Sequence, residues 1–194
     1  MNFLKNIYNW TLKKAEHKNA KWYLGFISFA ESSFFPIPPD ILLIPMALAS
    51  KAKALFYAFI CTLFSVLGGI LGYAIGYFFY NSLGVYIVEL YHLENSFNIF
   101  ENYYKEFGIL IVLGAGITPF PYKFITIASG VFGLNIFLFT IVSVIGRGLR
   151  FYLIAILLYF FGEKIRLIID RYFNILTVTF FILLVGSVFI IRYL

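Results

Sequence analysis

Cysteine is almost absent from this chain of 194 residues. Cys61 stands alone inside an apolar stretch, which excludes a disulfide framework and a thiolate metal site. Histidine is nearly as scarce: His17 and His92 both lie in polar surroundings. The apolar segments therefore hold no imidazole for a zinc site or for a Ser/His pair. Charge is thin as well. Asp, Glu, Lys and Arg make up 12% of the chain, against about 25% in an ordinary soluble domain. No glycine-rich phosphate loop or metalloprotease signature occurs. These absences exclude a soluble globular enzyme, and neither a metal nor a cofactor is expected.

Hydrophobic residues fill the gap, at 62% of the chain with 22% aromatic. That much apolar surface excludes disorder. The uncharged stretch from Ala54 to Tyr80 exceeds the ~18 apolar residues that read as a membrane span. The pattern predicts an all-α transmembrane protein with one compact membrane domain. A net charge of +6 would suggest nucleic acid in a soluble protein. Here it reports topology and contact with anionic lipid, and no nucleic-acid partner is expected.

Along the chain, residues 1–21 pattern as an amphipathic interfacial helix, with Phe3, Leu4, Ile7, Tyr8, Leu12 and Ala15 on one face and lysines on the other. Residues 22–50 are apolar but broken at Phe34 to Asp40, where Pro36, Pro38 and Pro39 cannot sit inside a continuous helix. Each flank is too short to cross the ~30 Å hydrocarbon core alone, so the segment predicts a re-entrant hairpin. A full span follows at about 52–80, with Gly68, Gly72 and Gly76 on one face for close helix packing. Residues 81–106 read as a polar connection. A second broken segment, 107–133, is interrupted at Pro119 and Pro121, and a second span runs over about 134–161. A charged link and a last span complete residues 162–194. The membrane domain proper is placed at 22–161.

The two broken segments repeat one another. "PIPPDILLIPMALAS" from Pro36 and "PFPYKFITIASGVFG" from Pro119 share a Pro-x-Pro-x-charge start and an apolar run, 83 residues apart. All six prolines fall in these two units. Each unit is a hairpin plus one crossing, so the second begins on the opposite side, giving the inverted repeat of many secondary transporters. Lysines and arginines flank one side of the predicted membrane, including Lys51, Lys53 and Lys164, while the 81–106 connection is acidic. The amino terminus is therefore expected in the cytoplasm.

Five ionisable residues lie in or beside apolar segments, where a charge usually faces the bundle interior and marks function. Asp40 starts a half-helix, where the positive dipole end favours a carboxylate; a helix cap or a functional group both fit. Glu31 has no local cap to satisfy and reads as a proton-exchanging group or a partner for a cation. Lys123 occupies the place matching Asp40 in the second hairpin, and a pair with Glu31 or Asp40 or an external anion would both satisfy it. Arg147 and Arg150 share one helical face. They suit either ion pairs with the carboxylates or bidentate anion binding. No nucleophile and base can be placed together, so no enzymatic activity is expected.

The segments Glu31 to Leu48 and Gly116 to Gly130, with the glycine-rich span between them, resemble the DedA superfamily, whose members carry the VTT or SNARE-associated domain, and most of all its YqaA-like branch. The resemblance implies two opposed re-entrant hairpins packed with transmembrane helices in the bacterial cytoplasmic (inner) membrane. It also implies a lipid transporter of flippase or scramblase type, moving an anionic lipid such as undecaprenyl phosphate or a phospholipid, with links to the proton-motive force. By position, Glu31 matches the acidic residue before the first proline motif. Asp40 stands where the family usually has Glu, and Lys123 near a position usually held by Arg. The further Arg expected upstream is replaced by Gly116 and Ile117, with Arg147 and Arg150 available from the next helix. Membrane lipids, protons and further copies of the chain are the expected partners. A proton-coupled exporter of small cations and a non-transporting assembly factor are the alternatives.

Overall fold

The computed structural model describes residues 19–35, 37–90, 94–162 and 164. The interfacial helix (but for its last residues), Pro36, and the last span with nearly all of its charged link fall outside them.

Helix α1, Ala20–Ser33, ends in a break over 34–39, and α2, Asp40–Ala49, begins beyond the prolines. Pro38 and Pro39 lack the N–H that a continuous helix needs, yet their carbonyls accept from Ile41, Leu42 and Leu43 and so launch α2. A 3-10 turn at Lys51–Lys53 leads into α3, Ala54–Phe79. Past it come a π-helical turn, Tyr80–Gly84, and the short α4, Val85–Leu90. Helix α5 covers Glu94–Ile117, α6 Tyr122–Val131 and α7 Ile136–Gly162. Gly133 turns the chain at a φ of 63°, and the Asn135 side chain caps α7 by accepting from the N–H groups of Phe137 and Leu138.

One expectation needs correction. The polar stretch 81–106 is helical over most of its length, and the first arm of the second hairpin begins at Glu94 rather than Phe107. No proline or glycine interrupts residues 94–107, and Glu101 pairs with Lys105 one turn on at 2.7 Å, so the polar start and apolar end form one helix.

Helix directions follow from the contacts. Helix α1 lies parallel to α3: Gly25 meets Phe64, Phe29 meets Gly68 and Ser32 meets Gly72. Helix α2 returns, so Ala20 and Leu24 of α1 share one cluster with Leu43 to Leu48 and the first turns of α3. Helix α7 runs antiparallel to α3, with Phe139 beside Gly69, Arg147 beside Ser65 and Gly148 beside Thr62. Helix α5 runs with α7, as the Gly108–Leu134 and Gly116–Gly146 contacts require, and α6 folds back on α5 through Tyr104 and Ser129. The two units, α1–α2–α3 and α5–α6–α7, therefore have the same order and opposite direction.

Helix α3 is the seam between the units. A Cβ on Gly68 would lie 2.1 Å from the Phe29 carbonyl oxygen, and one on Gly76 2.0 Å from that of Ile127. Both obstacles are backbone, so only glycine lets α1 and α6 approach α3 along this face, where Gly72 meets Ser32 of α1 and Thr126 of α6 together.

The segment Lys51–Phe79 has 29 residues and α7 has 27, both long and apolar enough to cross a membrane. At 1.5 Å per residue α7 is about 40 Å long, against a ~30 Å hydrocarbon core. Their outer faces expose large apolar side chains, among them Phe59, Leu67, Ile75, Ile141, Leu149 and Phe160. Apolar stripes of this extent are rare on proteins that face water.

Candidate functional site

The two helix breaks meet near the middle of α3 and α7. Glu31 lies at the end of α1, Asp40 opens α2, and Thr118 and Tyr122 flank the second break. Arg147 and Arg150, three residues apart on α7, face this junction and join the breaks.

The first pair is closed on every side. Arg147 is 1% exposed, and its Nη2 donates to Glu31 Oε2 at 2.7 Å. Arg147 Nε donates to Ser65 Oγ at 2.6 Å. Ser32 can only donate to the carboxylate, which it reaches at 3.2 Å, so the 2.6 Å bond between Ser32 and Ser65 must take its proton from Ser65. Three hydrogen bonds thus run in one sense from Arg147 through Ser65 and Ser32 to Glu31, and the direct Arg147–Glu31 bond closes the ring. Chains of this kind polarise and strengthen one another in a low-dielectric interior. The rings of Tyr122 and Phe151 sandwich the guanidinium at 4.9 and 4.7 Å.

Glu31 has a second task. Its Oε1 accepts from the Tyr122 N–H at 3.4 Å, so a carboxylate of the first unit sits on the amino end of α6 in the second. A negative charge is favoured at that positive end of the dipole. Arg150 does the converse, donating from Nη1 to the Thr118 carbonyl just past the end of α5 and from Nη2 to Asp40 Oδ2. A cation thus meets the negative end of one half-helix and the carboxylate that opens another. Broken backbone inside an apolar bundle needs such partners.

Lys123 stands apart. It is half-buried in the first turn of α6, its Nζ lies 5.4 Å from the Phe124 ring centre, and no carboxylate among the described residues pairs with it. The anticipated pairing of Lys123 with Glu31 or Asp40 is not formed. The arginines take both carboxylates because their longer forked side chains reach across from α7 while keeping several donors in use. Pro38, Pro39, Pro119 and Pro121 all lie in the breaks, Pro39 fully buried and Pro121 immediately before α6. Gly68, Gly72 and Gly76 lie on the seam face described above. No group of three or more His, Cys, Asp or Glu that could hold a metal ion occurs among the described residues.

Sequence reasoning missed Ser32, Ser65 and Tyr122. One signal was available: Ser65 and Arg147 are 82 residues apart, the repeat spacing to within one residue, so they occupy matching places in the two units and meet where the units cross.

No protein-family model matches the chain, and no solved structure matches it. It is 34% identical over 192 residues to a Haemophilus influenzae protein named "Uncharacterized protein", covering 99% of this chain and 100% of that one. It is 35% identical over 164 residues to the "Uncharacterized protein HI0703 homolog" of Histophilus somni, covering 84% of this chain and 85% of its relative. Identity of this order along the full length of the Haemophilus protein places the chain in one family with these two proteins.

Proposed function

We propose that the chain is a membrane lipid transporter of the DedA type, moving an anionic lipid past the junction of its two hairpins. The observation that carries this reading is the pair of oppositely directed units whose broken helices meet at buried charges. Irregular backbone and ionisable residues at the middle of an apolar bundle are the hallmarks of a transport pathway. The re-entrant arrangement in the bilayer is part of the proposal, as is an inner-membrane location with a cytoplasmic amino terminus. Lys21 at the start of α1, Lys51 and Lys53 after α2, and Lys164 just beyond α7 gather at one end of the bundle, which supports that orientation. Lys123, a half-buried cation with no carboxylate partner among the described residues, and Arg150 are the groups offered to a phosphate. Arg147 is held within its ring.

Reconstitution into liposomes tests the reading. Fluorescent phosphatidylglycerol and an undecaprenyl phosphate analogue should exchange between leaflets faster than in protein-free vesicles, with the pH gradient set or collapsed. Ion flux without lipid movement would favour a proton-coupled exporter of small cations drawing on Glu31 and Asp40. Neither movement would favour a non-transporting assembly factor.

A further inference from the structure

The two ion pairs are built differently. Among the described residues, the ring around Arg147 and Glu31 holds no unpartnered buried polar atom, whereas the second pair holds two: Asp40 Oδ1 and Arg150 Nε are buried and have no hydrogen-bond partner there. In a guanidinium, the Nε–H and the Nη2–H on its side point the same way, and a carboxylate ordinarily takes both as a fork. Here Arg150 Nη2 meets Asp40 Oδ2 while the neighbouring donor and the neighbouring acceptor stay unused. Arg150 cannot simply swing to complete the fork without disturbing its Nη1 bond to the Thr118 carbonyl, which ties it to the second break.

The chemistry of the two free atoms is fixed. Nε–H can only donate, and an ionised carboxylate oxygen can only accept. Each free atom is one covalent angle from the atoms that already touch, so a group that fits both must offer an acceptor and a donor side by side. We propose that the Asp40–Arg150 edge is a headgroup site for a hydroxyl-bearing ligand: an alcohol on a glycerol headgroup or the P–OH of a singly protonated phosphate monoester. Its oxygen accepts from Arg150 Nε, and its proton goes to Asp40 Oδ1. This rests on the lipid-transport reading and narrows it, because a diester headgroup with neither a hydroxyl nor an ammonium offers acceptors only and leaves Asp40 Oδ1 unmatched, and an ammonium, which cannot accept, leaves Arg150 Nε unmatched. A buried acceptor left unmatched is costly, so discrimination follows from the missing proton rather than from charge.

The test compares lipids of equal charge. The purified full chain in detergent is offered phosphatidylglycerol, phosphatidic acid and phosphatidylethanol with identical acyl chains, and retained lipid is read by native mass spectrometry. Phosphatidylglycerol and phosphatidylethanol are both anionic diesters, and only the first carries headgroup hydroxyls. The wild type should retain phosphatidylglycerol over phosphatidylethanol by at least about tenfold, the effect of one unmatched buried polar group. Retention of phosphatidic acid at a pH where it keeps one proton would show that P–OH serves as well as an alcohol. Asp40→Asn puts an amide donor where the free acceptor was, so the preference should fall away or invert toward phosphatidylethanol. Equal retention of the two diesters by the wild type, no retention of either, or an unchanged preference in Asp40→Asn would overturn the site. The wild-type comparison needs no variant, so a poorly folded Asp40→Asn leaves the proposal testable. Lipid movement in vesicles without headgroup preference would keep the transport reading and remove the site. Headgroup preference without movement would do the reverse.

Discussion

Arg147→Gln should lower the stability of the fold by about 3–5 kcal/mol, the cost of leaving one member of a buried ion pair without its partner. Glu31 is 8% exposed and sits on the amino end of α6, so removal of the guanidinium strands a carboxylate in the bundle centre. The same change takes the donor from Ser65 and empties the space between the rings of Tyr122 and Phe151. Glu31→Gln should cost a similar amount for the complementary reason, a stranded guanidinium. The double variant, with both charges gone, should be more stable than either single variant, because what destabilises is the uncompensated charge rather than the loss of the pair. Thermal unfolding in detergent, followed by the monodisperse fraction, reads all three. A double variant no better than the singles would mean that the pair is not the keystone of the junction.

Arg150→Gln carries the second large effect, on lipid rather than on folding. Arg150 touches both helix breaks at once, through Asp40 and the Thr118 carbonyl, and its side chain keeps partial access from outside the bundle. Losing one charge-assisted hydrogen bond to a phosphate or hydroxyl, worth about 1.5–3 kcal/mol, should reduce headgroup affinity about 10- to 150-fold. Arg150→Lys should recover little, since an ammonium lacks the fork that reaches two breaks and a headgroup together. Lipid retention by the folded variants, normalised to their melting behaviour, is the measurement. Wild-type retention in both would remove Arg150 from the binding site.

Much of the helix order is legible in the sequence. Clustered prolines marked both helix breaks, since two or three missing N–H groups within one turn leave a helix without its ladder, whereas the single Pro45 is accommodated inside α2, and the 83-residue offset announced two units of one plan. The extent of α3 and α7 followed from uninterrupted apolar runs. The start of α5 did not, because polarity was read as loop where only proline or glycine would have broken the helix. The five charges stood out in the sequence, yet which of them pair was not legible. Which arginine meets which carboxylate depends on how α7 crosses α1 and α2, a matter of three-dimensional packing in which Gly68 seats α1 on α3 while Gly69 and Gly148 bring α7 against the same helix. The serines of the ring escaped notice because a lone Ser in an apolar helix ordinarily bonds back to its own turn, as Ser33 does here to Phe29 and Ala30.

Two opposed units in a bilayer make one requirement that a single experiment can check. Lys53 and Glu89 are both exposed and lie beyond opposite ends of α3. With Cys61 replaced by alanine, Lys53→Cys and Glu89→Cys can each be probed in intact cells with a membrane-impermeant maleimide, before and after permeabilisation. Label should reach Glu89→Cys in intact cells and Lys53→Cys only after permeabilisation, with α3 between them as a full crossing. If both positions label from the same face, α3 does not span the membrane, and a pair of inverted units around a central charge junction cannot be the transport pathway.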